Sequence, residues 1–317
     1  MSSRSVFLSL VIPVYNEEAA LPILLRDLKA YLAEAWKDWG EIEIILINDG
    51  SQDASWALIE AVCAEDPRFV GLNLSRNFGH QLALTAGLEN ARGEAVISLD
   101  ADGQDPLATI AEMVSAFREG YEVVHASRRR RGHEGAGKAV TARLFYWLIG
   151  KISGTPILED TGDFRLLSRR VLQHLAQFKE SHRFLRGLVP WLGFPQTRIF
   201  FDRTDRCAGE THYSWRKMFL LAADGIASMS TAPLRLAYLF SLGLFGILLG
   251  YIVYTLYRHF IEGHALVPGW TSIMCAVTLF GTIQLLLLGV LGEYLGRIYE
   301  QVKGRPLYII QDIRRRP

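Results

Sequence analysis

Apolar runs that end in polar, turn-forming clusters recur along the first 126 residues of this chain. Val6 to Val14 is nearly continuous in apolar residues and predicts a buried strand. A helix from about Ala19 to Ala35 follows, with Leu21, Leu24, Leu25, Leu28 and Leu32 at helical spacing. Glu41 to Ile47 predicts a second strand, and its Asn48-Asp49-Gly50 end is a turn signal. Ser51 or Asp53 is placed to cap the next helix, which runs to about Ala64. Phe69 to Leu74 predicts a third strand, followed by a helix carrying Leu82, Leu84, Ala86 and Leu88 and stopped by Gly93. Ala95 to Leu99 predicts a fourth strand, then a helix from about Leu107 to Gly120 and a strand from Glu122 to Ala126. Strand and helix alternating this regularly predict a parallel, doubly wound α/β sheet.

The pattern changes beyond that point. Lys138 to Ile149 predicts a helix, and Tyr213 to Ser230 predicts an amphipathic one, with Trp215, Phe219, Leu220, Ala223, Ile226 and Ala227 on one side. Leu236 to Tyr257 and Ala265 to Gly292 carry no formal charge, and each is long enough to cross a bilayer needing roughly 20 apolar residues. Basic residues flank the pair on the outside, with Arg216, Lys217 and Arg235 before it and Arg297, Lys303, Arg305 and Arg314 to Arg316 after it. Basic flanks mark the cytoplasmic side, so both termini are expected inside.

Composition adds three constraints. Of the 317 residues 50% are hydrophobic, and the excess lies after about residue 232. The formal net charge of +1 favours neither nucleic acid nor any other strongly charged partner. Cys63, Cys207 and Cys275, odd in number and without paired spacing, argue against a disulfide framework or a zinc site. No signal peptide is expected before the first strand.

The fourth strand delivers Asp100, Asp102 and Asp105 within six residues. In an open α/β sheet ligands bind at that end of the strands. Asp100 and Asp102, two apart on extended chain, suit one hard divalent cation, Mg²⁺ or Mn²⁺. The alternative is a polar turn in which Asp105 or Pro106 starts the following helix. An EF-hand loop fails, because Asp105 stands where it needs Gly and Ala111 where it needs a carboxylate. Neither a Gly-x-Gly-x-x-Gly turn nor a P-loop occurs. The run Arg128 to Arg131 reads either as a solvated loop or as a phosphate contact, and Arg143 follows on the helix Lys138–Ile149. Asp163 reads either as a helix cap or as a further active-site carboxylate.

Five motifs occur in order, of which the first four resemble family 2 glycosyltransferases of GT-A fold: Val11-Ile12-Pro13-Val14-Tyr15-Asn16-Glu17, Asn48-Asp49-Gly50-Ser51, Ser75-Arg76-Asn77-Phe78-Gly79, Asp100-Ala101-Asp102-Gly103-Gln104-Asp105-Pro106 and Gly162-Asp163-Phe164-Arg165-Leu166-Leu167. The last of these, with the segment Leu291 to Tyr299, is similar to the bacterial polyprenyl-phosphate glycosyltransferases, relatives of dolichol-phosphate mannose synthase. The resemblance implies a Rossmann-like, mostly parallel catalytic domain over 1–212 and an amphipathic juxtamembrane region over 213–233. A two-helix transmembrane hairpin over 234–297 and a cytoplasmic tail over 298–317 complete it. Gly103, Leu107 and His212 depart from the family's usual Leu, Pro and Lys.

By that resemblance a sugar passes, with inversion, from a UDP- or GDP-linked donor to undecaprenyl or another polyprenyl phosphate at the bacterial inner membrane. Pro13, Tyr15, Glu17, Asp49, Arg76 and Asp100 would line the nucleotide sugar. Asp100, Asp102 and Gln104 would hold Mg²⁺ or Mn²⁺ on the diphosphate. Arg128 and Arg143 would clamp the acceptor phosphate and Arg206 would close over the donor. Asp163 would orient the sugar or an arginine, with a base role left open. Membrane lipid is the other expected partner, and the spans offer a route to homo-oligomers. A processive polysaccharide synthase is disfavoured because no Gln-x-x-Arg-Trp motif occurs. A non-catalytic membrane scaffold would have no use for clustered carboxylates.

Overall fold

A computed structural model describes residues 6–128, 161–180, 183–202, 232–261 and 269–316. They fall into two compact units, Met1–Met218 with Pro306–Pro317, and Phe219–Arg305. The strands of the first unit are β1 (Val6–Val14), β2 (Glu41–Asn48), β3 (Phe69–Leu74), β4 (Ala95–Ser98), β5 (Val123–Arg128), β6 (Thr161–Ser168), β7 (Gln196–Phe201) and β8 (Ile310–Arg315). Its helices are α1 (Leu21–Trp39), α2 (Ser55–Glu65), α3 (His80–Asn90), α4 (Ala108–Arg118), α5 (Arg169–Leu175) and α6 (Leu185–Trp191). The eight strands form one sheet in the order β7-β5-β6-β4-β1-β2-β3-β8.

The long apolar runs make strands buried on both faces, as parallel sheets require. On one face α1, α2 and α4 pack through Leu21, Leu28, Leu32, Ile59, Ile110 and Met113 against Leu10, Ile12, Ile44 and Leu46. On the other, α3, α5 and α6 pack through Ala83, Leu84, Val171, Leu172 and Leu188 against Val11, Ile45, Ile47 and Leu167. The helix α3 lies close to the sheet because Gly87 permits it. A Cβ there would stand 2.3 Å from Cγ1 of Val11 and 2.6 Å from Cδ1 of Ile47. Buried charges interrupt this apolar layer, one of them on β2. Glu43 on β2, 3% exposed, accepts from the hydroxyl of its register partner Ser9 at 2.7 Å and from Nε of Arg92 at 3.0 Å.

The sheet is mixed rather than uniformly parallel. The pairs β1–β2, β1–β4, β2–β3 and β5–β7 are parallel, whereas β6 runs antiparallel to both β4 and β5. Ser127 near the end of β5 pairs with Thr161 at the start of β6, so the chain re-enters the sheet at the end it left and must run back. Asp163 therefore lies within a strand and is not a helix cap. The segment after the last helix is also more than a tail. It returns as β8, antiparallel to β3. Outside the ladder, Arg314 pairs with Glu60 at 2.8 Å, and Tyr308 donates to Oε2 of Glu89 at 2.7 Å while Arg183 donates to its Oε1 at 3.0 Å.

The second unit contains α7 (Ala232–Phe260) and α8 (Trp270–Val302). Among the described residues one stretch is long and apolar enough to cross a membrane, Leu279–Val302 at mean hydropathy 1.5. The apolar stretch Leu239–Tyr251 of α7 is shorter. The predicted helices over 138–149 and 213–230 lie outside the described residues.

Two stability predictions follow from the packing. Gly87→Ala overpacks the α3–sheet contact and is expected to cost about 1–3 kcal/mol. That reads as a melting temperature lower by about 2–4 °C per kcal/mol. Deleting Pro306–Pro317 uncovers the β3 edge, an unpaired row of amides and carbonyls prone to intermolecular pairing. The truncated protein is expected to melt earlier and to aggregate on size-exclusion chromatography in detergent.

Candidate active site

The C-terminal ends of β1, β2 and β3 are tied together by their own loops. Asn16, in the left-handed region at φ 54°, donates its backbone N–H to Oγ of Ser51 at 3.0 Å and accepts from Gln52 N at 2.8 Å. The N–H of Glu17 donates to Oγ of Ser55, and that of Glu18 to Oδ2 of Asp53, each at 3.0 Å. Asp53 rather than Ser51 supports the start of α2, accepting from Ser55 N at 3.0 Å. Asp49, 3% exposed, accepts from the amides of Phe78 at 2.7 Å and Gly79 at 3.0 Å. Burial pushes its carboxyl above the usual range, and the two amides partly offset this. The approach of the second and third loops requires glycine at position 50. Its φ is +66°, and a Cβ would stand 2.4 Å from the carbonyl carbon of Arg76.

These ties place the expected nucleotide residues on one edge of the sheet. Pro13 is buried in β1, Tyr15 stands 45% exposed just beyond it, and Glu17 is half-buried. Arg76 is exposed and stacks over the Phe78 ring at 4.0 Å. The Asp-rich turn after β4 lies beside them. Oδ2 of Asp105 accepts from the N–H of Asp100 at 3.0 Å, and Oδ1 of Asp102 accepts from that of Gln104 at 3.2 Å. Asp105 thus closes the turn, and α4 begins at Ala108 without a side-chain cap. Asp100 and Asp102 are half-buried and Gln104 is buried.

Opposite this turn stands Asp163 on β6, 4% exposed. Donors from three elements converge on it. Gln81 of α3 donates from Nε2 to its Oδ2 at 2.9 Å, and Nε2 of His80 lies 3.3 Å from the same oxygen. Arg186 of α6 forks onto both oxygens, at 3.2 and 3.0 Å. Arg165, two residues along β6, reaches Oδ1 at 3.1 Å. Burial alone would raise this carboxyl, but the His80 contact and the charges of Arg186 and Arg165 hold it far below the ordinary carboxylate range. It is ionised throughout the physiological range, which makes it a poor proton acceptor.

His80 also lies 3.7 Å from Oδ1 of Asp100 and so bridges the two acidic groups. Burial would lower its pKa, yet the bond to Asp163 and the charge of Asp100 raise it. Asp100 itself is pushed up, first by burial and then by the neighbouring Asp163 and Asp102, with His80 acting against them. This crowding of negative charge is what a divalent cation relieves. Among the described residues no three His, Cys, Asp or Glu side chains gather as a self-sufficient metal centre. Asp100, Asp102 and Gln104 offer two carboxylates and an amide, oxygen donors of the kind a hard divalent cation takes.

The side chain of Arg128, the last residue of β5, and all of Arg143, Arg206 and His212 lie outside the described residues. The partners of Asp163 were not apparent from spacing. Gln81 and Arg186 stand 82 and 23 residues from it in the chain. Their sequence signal is a polar residue in the first turn of a helix, Gln81 in α3 after the β3 loop and Arg186 in α6 after α5.

The chain is similar over nearly its whole length to several known proteins. The prophage bactoprenol glucosyl transferase homolog of Escherichia coli is 39% identical over 308 residues, 97% of this chain and 99% of that one. The bactoprenol glucosyl transferase of Shigella phage SfII is 39% identical over 304 residues, covering 96% and 97%. The uncharacterized glycosyltransferase YkcC of Bacillus subtilis is 42% identical over 309 residues, covering 98% and 94%. Among solved structures, S. aureus TarS in complex with UDP-GlcNAc is 18% identical with a TM-score of 0.45, over 70% of this chain and 66% of that one. The family model described as glycosyl transferase family 2 matches residues 9–176, a span that holds every strand-end loop described above together with Asp163. The chain belongs to glycosyl transferase family 2.

Proposed function

We propose that this glycosyltransferase moves a sugar, with inversion, from a UDP- or GDP-linked donor to a polyprenyl phosphate at the cytoplasmic face of a bacterial membrane. The carrying observation is the placement of the buried, ionised Asp163 and its arginines opposite Asp100 at the strand ends. The names of the bactoprenol glucosyl transferases, aligned over nearly their whole length, support the acceptor class.

The reaction follows from the acceptor's chemistry. A phosphate monoester has a second pKa of about 6, so at neutral pH its attacking oxygen is largely deprotonated. That oxygen bonds to the anomeric carbon as the bond to the donor diphosphate breaks, and no proton has to move. Asp163 is accordingly read as a group that orients the sugar and holds Arg186 in place, not as a base. Pro13, Tyr15, Glu17, Asp49 and Arg76 line the nucleotide in this reading. Asp100, Asp102 and Gln104 would hold Mg²⁺ or Mn²⁺, which supplies Lewis-acid stabilisation of the departing diphosphate. Arg128, with Arg143, receives the acceptor phosphate, and Arg206 closes over the donor.

In the same reading the two long helices form a membrane hairpin. At 29 and 33 residues, α7 and α8 extend about 43 and 50 Å at 1.5 Å per residue, more than a bilayer core of about 30 Å. Large apolar side chains stand exposed along both, among them Phe245, Ile247, Leu285 and Leu288. A polyprenyl phosphate keeps its headgroup at the bilayer surface, so the catalytic unit works against that surface, with the 213–233 region as the interfacial element.

Membranes carrying the protein are expected to transfer label from a nucleotide sugar into an organic-extractable phospholipid only when a divalent cation is present. Asp102→Ala is expected to lower that rate about 10²-fold or more. Activity that survives both chelation and this substitution would exclude the metal role. Arg128→Ala is expected to raise KM for the lipid acceptor about tenfold, the loss of one charge-assisted contact, with a much smaller change for the donor. Equal shifts in both constants would rule out the acceptor clamp.

A further inference from the structure

Beneath the Asp163 cluster lies a second polar group that the proposed chemistry does not use. His125 on β5 pairs with Arg165 on β6 across the antiparallel ladder, so their side chains share one face of the sheet. Ser127, two residues beyond His125, shares that face too. All three are buried, at 1%, 2% and 1% exposure for His125, Arg165 and Ser127. In each side chain one polar atom has no hydrogen-bond partner among the described residues: Nδ1 of His125, Nε of Arg165 and Oγ of Ser127.

The remaining polar atoms of His125 and Arg165 are committed. Nε2 of His125 lies 3.0 Å from Oε1 of Gln196, an acceptor, so Nε2 carries the proton and Nδ1 is left with its lone pair. Burial, reinforced by the charges of Arg165 and Arg198, holds this imidazole near a pKa of about 4, and the ring is neutral. The guanidinium of Arg165 donates from Nη1 to Leu185 O at 3.2 Å, and from Nη2 to Gly162 O at 2.9 Å and Asp163 Oδ1 at 3.1 Å. One Nη1–H and the Nε–H are left over, and Nε is the nitrogen without any partner.

A buried polar atom without a partner forfeits its solvation with nothing in return, so three on neighbouring positions call for a common one. Their chemistry is complementary: a fixed acceptor, a fixed donor and a hydroxyl that serves as either. A single water has the bonding capacity for all three, able to accept from Arg165, donate to His125 and pair with Ser127, and about three bonds is the usual complement of a buried water. We propose that a buried water joins Nδ1 of His125, Oγ of Ser127 and Nε of Arg165, and that His125 is thereby a positioning residue for Asp163. The ring fixes the water, the water fixes the plane of the Arg165 guanidinium, and that plane sets the carboxylate. The inference rests on the reading of Asp163 as the group that orients the reacting centre.

Steady-state kinetics on the full-length protein in detergent test it, with a nucleotide sugar and undecaprenyl phosphate as substrates and melting curves for every variant. His125→Gln keeps a contact to Gln196 but removes the acceptor at the Nδ1 position. It is expected to lower kcat about tenfold while KM for the donor stays within about twofold, the signature of a misplaced group at the reacting centre. His125→Asn, whose amide oxygen stands near the Nδ1 position, is expected to recover most of kcat. A His125→Gln kcat within about twofold of the parent, beside a large loss in Asp163→Asn, would overturn the positioning role and leave the Asp163 reading intact. Full turnover in Asp163→Asn would instead remove that underlying reading. Independently of how the variants fold, a crystal structure of the unmodified protein is expected to show a water within hydrogen-bond distance of all three atoms. Direct contact among them without one would overturn the proposal.

Discussion

A single buried carboxylate constrains this catalytic unit more than any other group. Asp163 is 4% exposed and ionised, and an unpaired charge at that depth would cost far more than the fold's margin of stability. Its survival depends on donors delivered at the same point by α3, β6 and α6. None of those elements has freedom to shift without exposing the charge or leaving it unmatched. The antiparallel insertion of β6 between β4 and β5 is what makes this possible, because it sets Asp163 beside the end of β4, where the Asp-rich turn begins.

That placement sets the electrostatics of the site. Asp163 is over-supplied with cationic donors, whereas Asp100 across from it is crowded by like charge. His80 spans the gap, 3.3 Å from one and 3.7 Å from the other. Fixed positive groups next to a crowded carboxylate pair give the site a strongly polarised field. Dipoles and charges already oriented before substrate arrives need no reorganisation when charge moves onto a leaving group.

Rigidity on the other side of the site comes from backbone rather than from charge. The loops after β1 and β2 exchange hydrogen bonds through Asn16, Ser51, Ser55, Asp53 and Glu18, and Asp49 anchors the loop after β3. Binding loops are ordinarily the least stable part of such a sheet. Here side chains of the first two loops satisfy each other's amides and Asp49 satisfies those of the third, which ties the three together. The C-terminal strand β8 extends the same logic outward, covering the β3 edge and tying Tyr308 to α3 through Glu89.

Much of this was legible in the residues themselves. Strands β1 to β5 and helices α1 to α4 were apparent because each is a local pattern of apolar spacing closed by turn chemistry, and an element so bounded has few alternatives. Asp100 and Asp102 were visible for the same reason, being polar residues at the end of an apolar run. Three things were not: the direction of β6, the return of Ile310–Arg315 to the sheet, and the partners of Asp163. Each depends on a contact between residues far apart in the chain, such as Asp163 with Gln81 and Ile313 with Leu72. Local periodicity fixes which face of a strand is buried but not which strand lies beside it. That choice is made only when the whole sheet closes, and with it the charge state of the carboxylate at its centre.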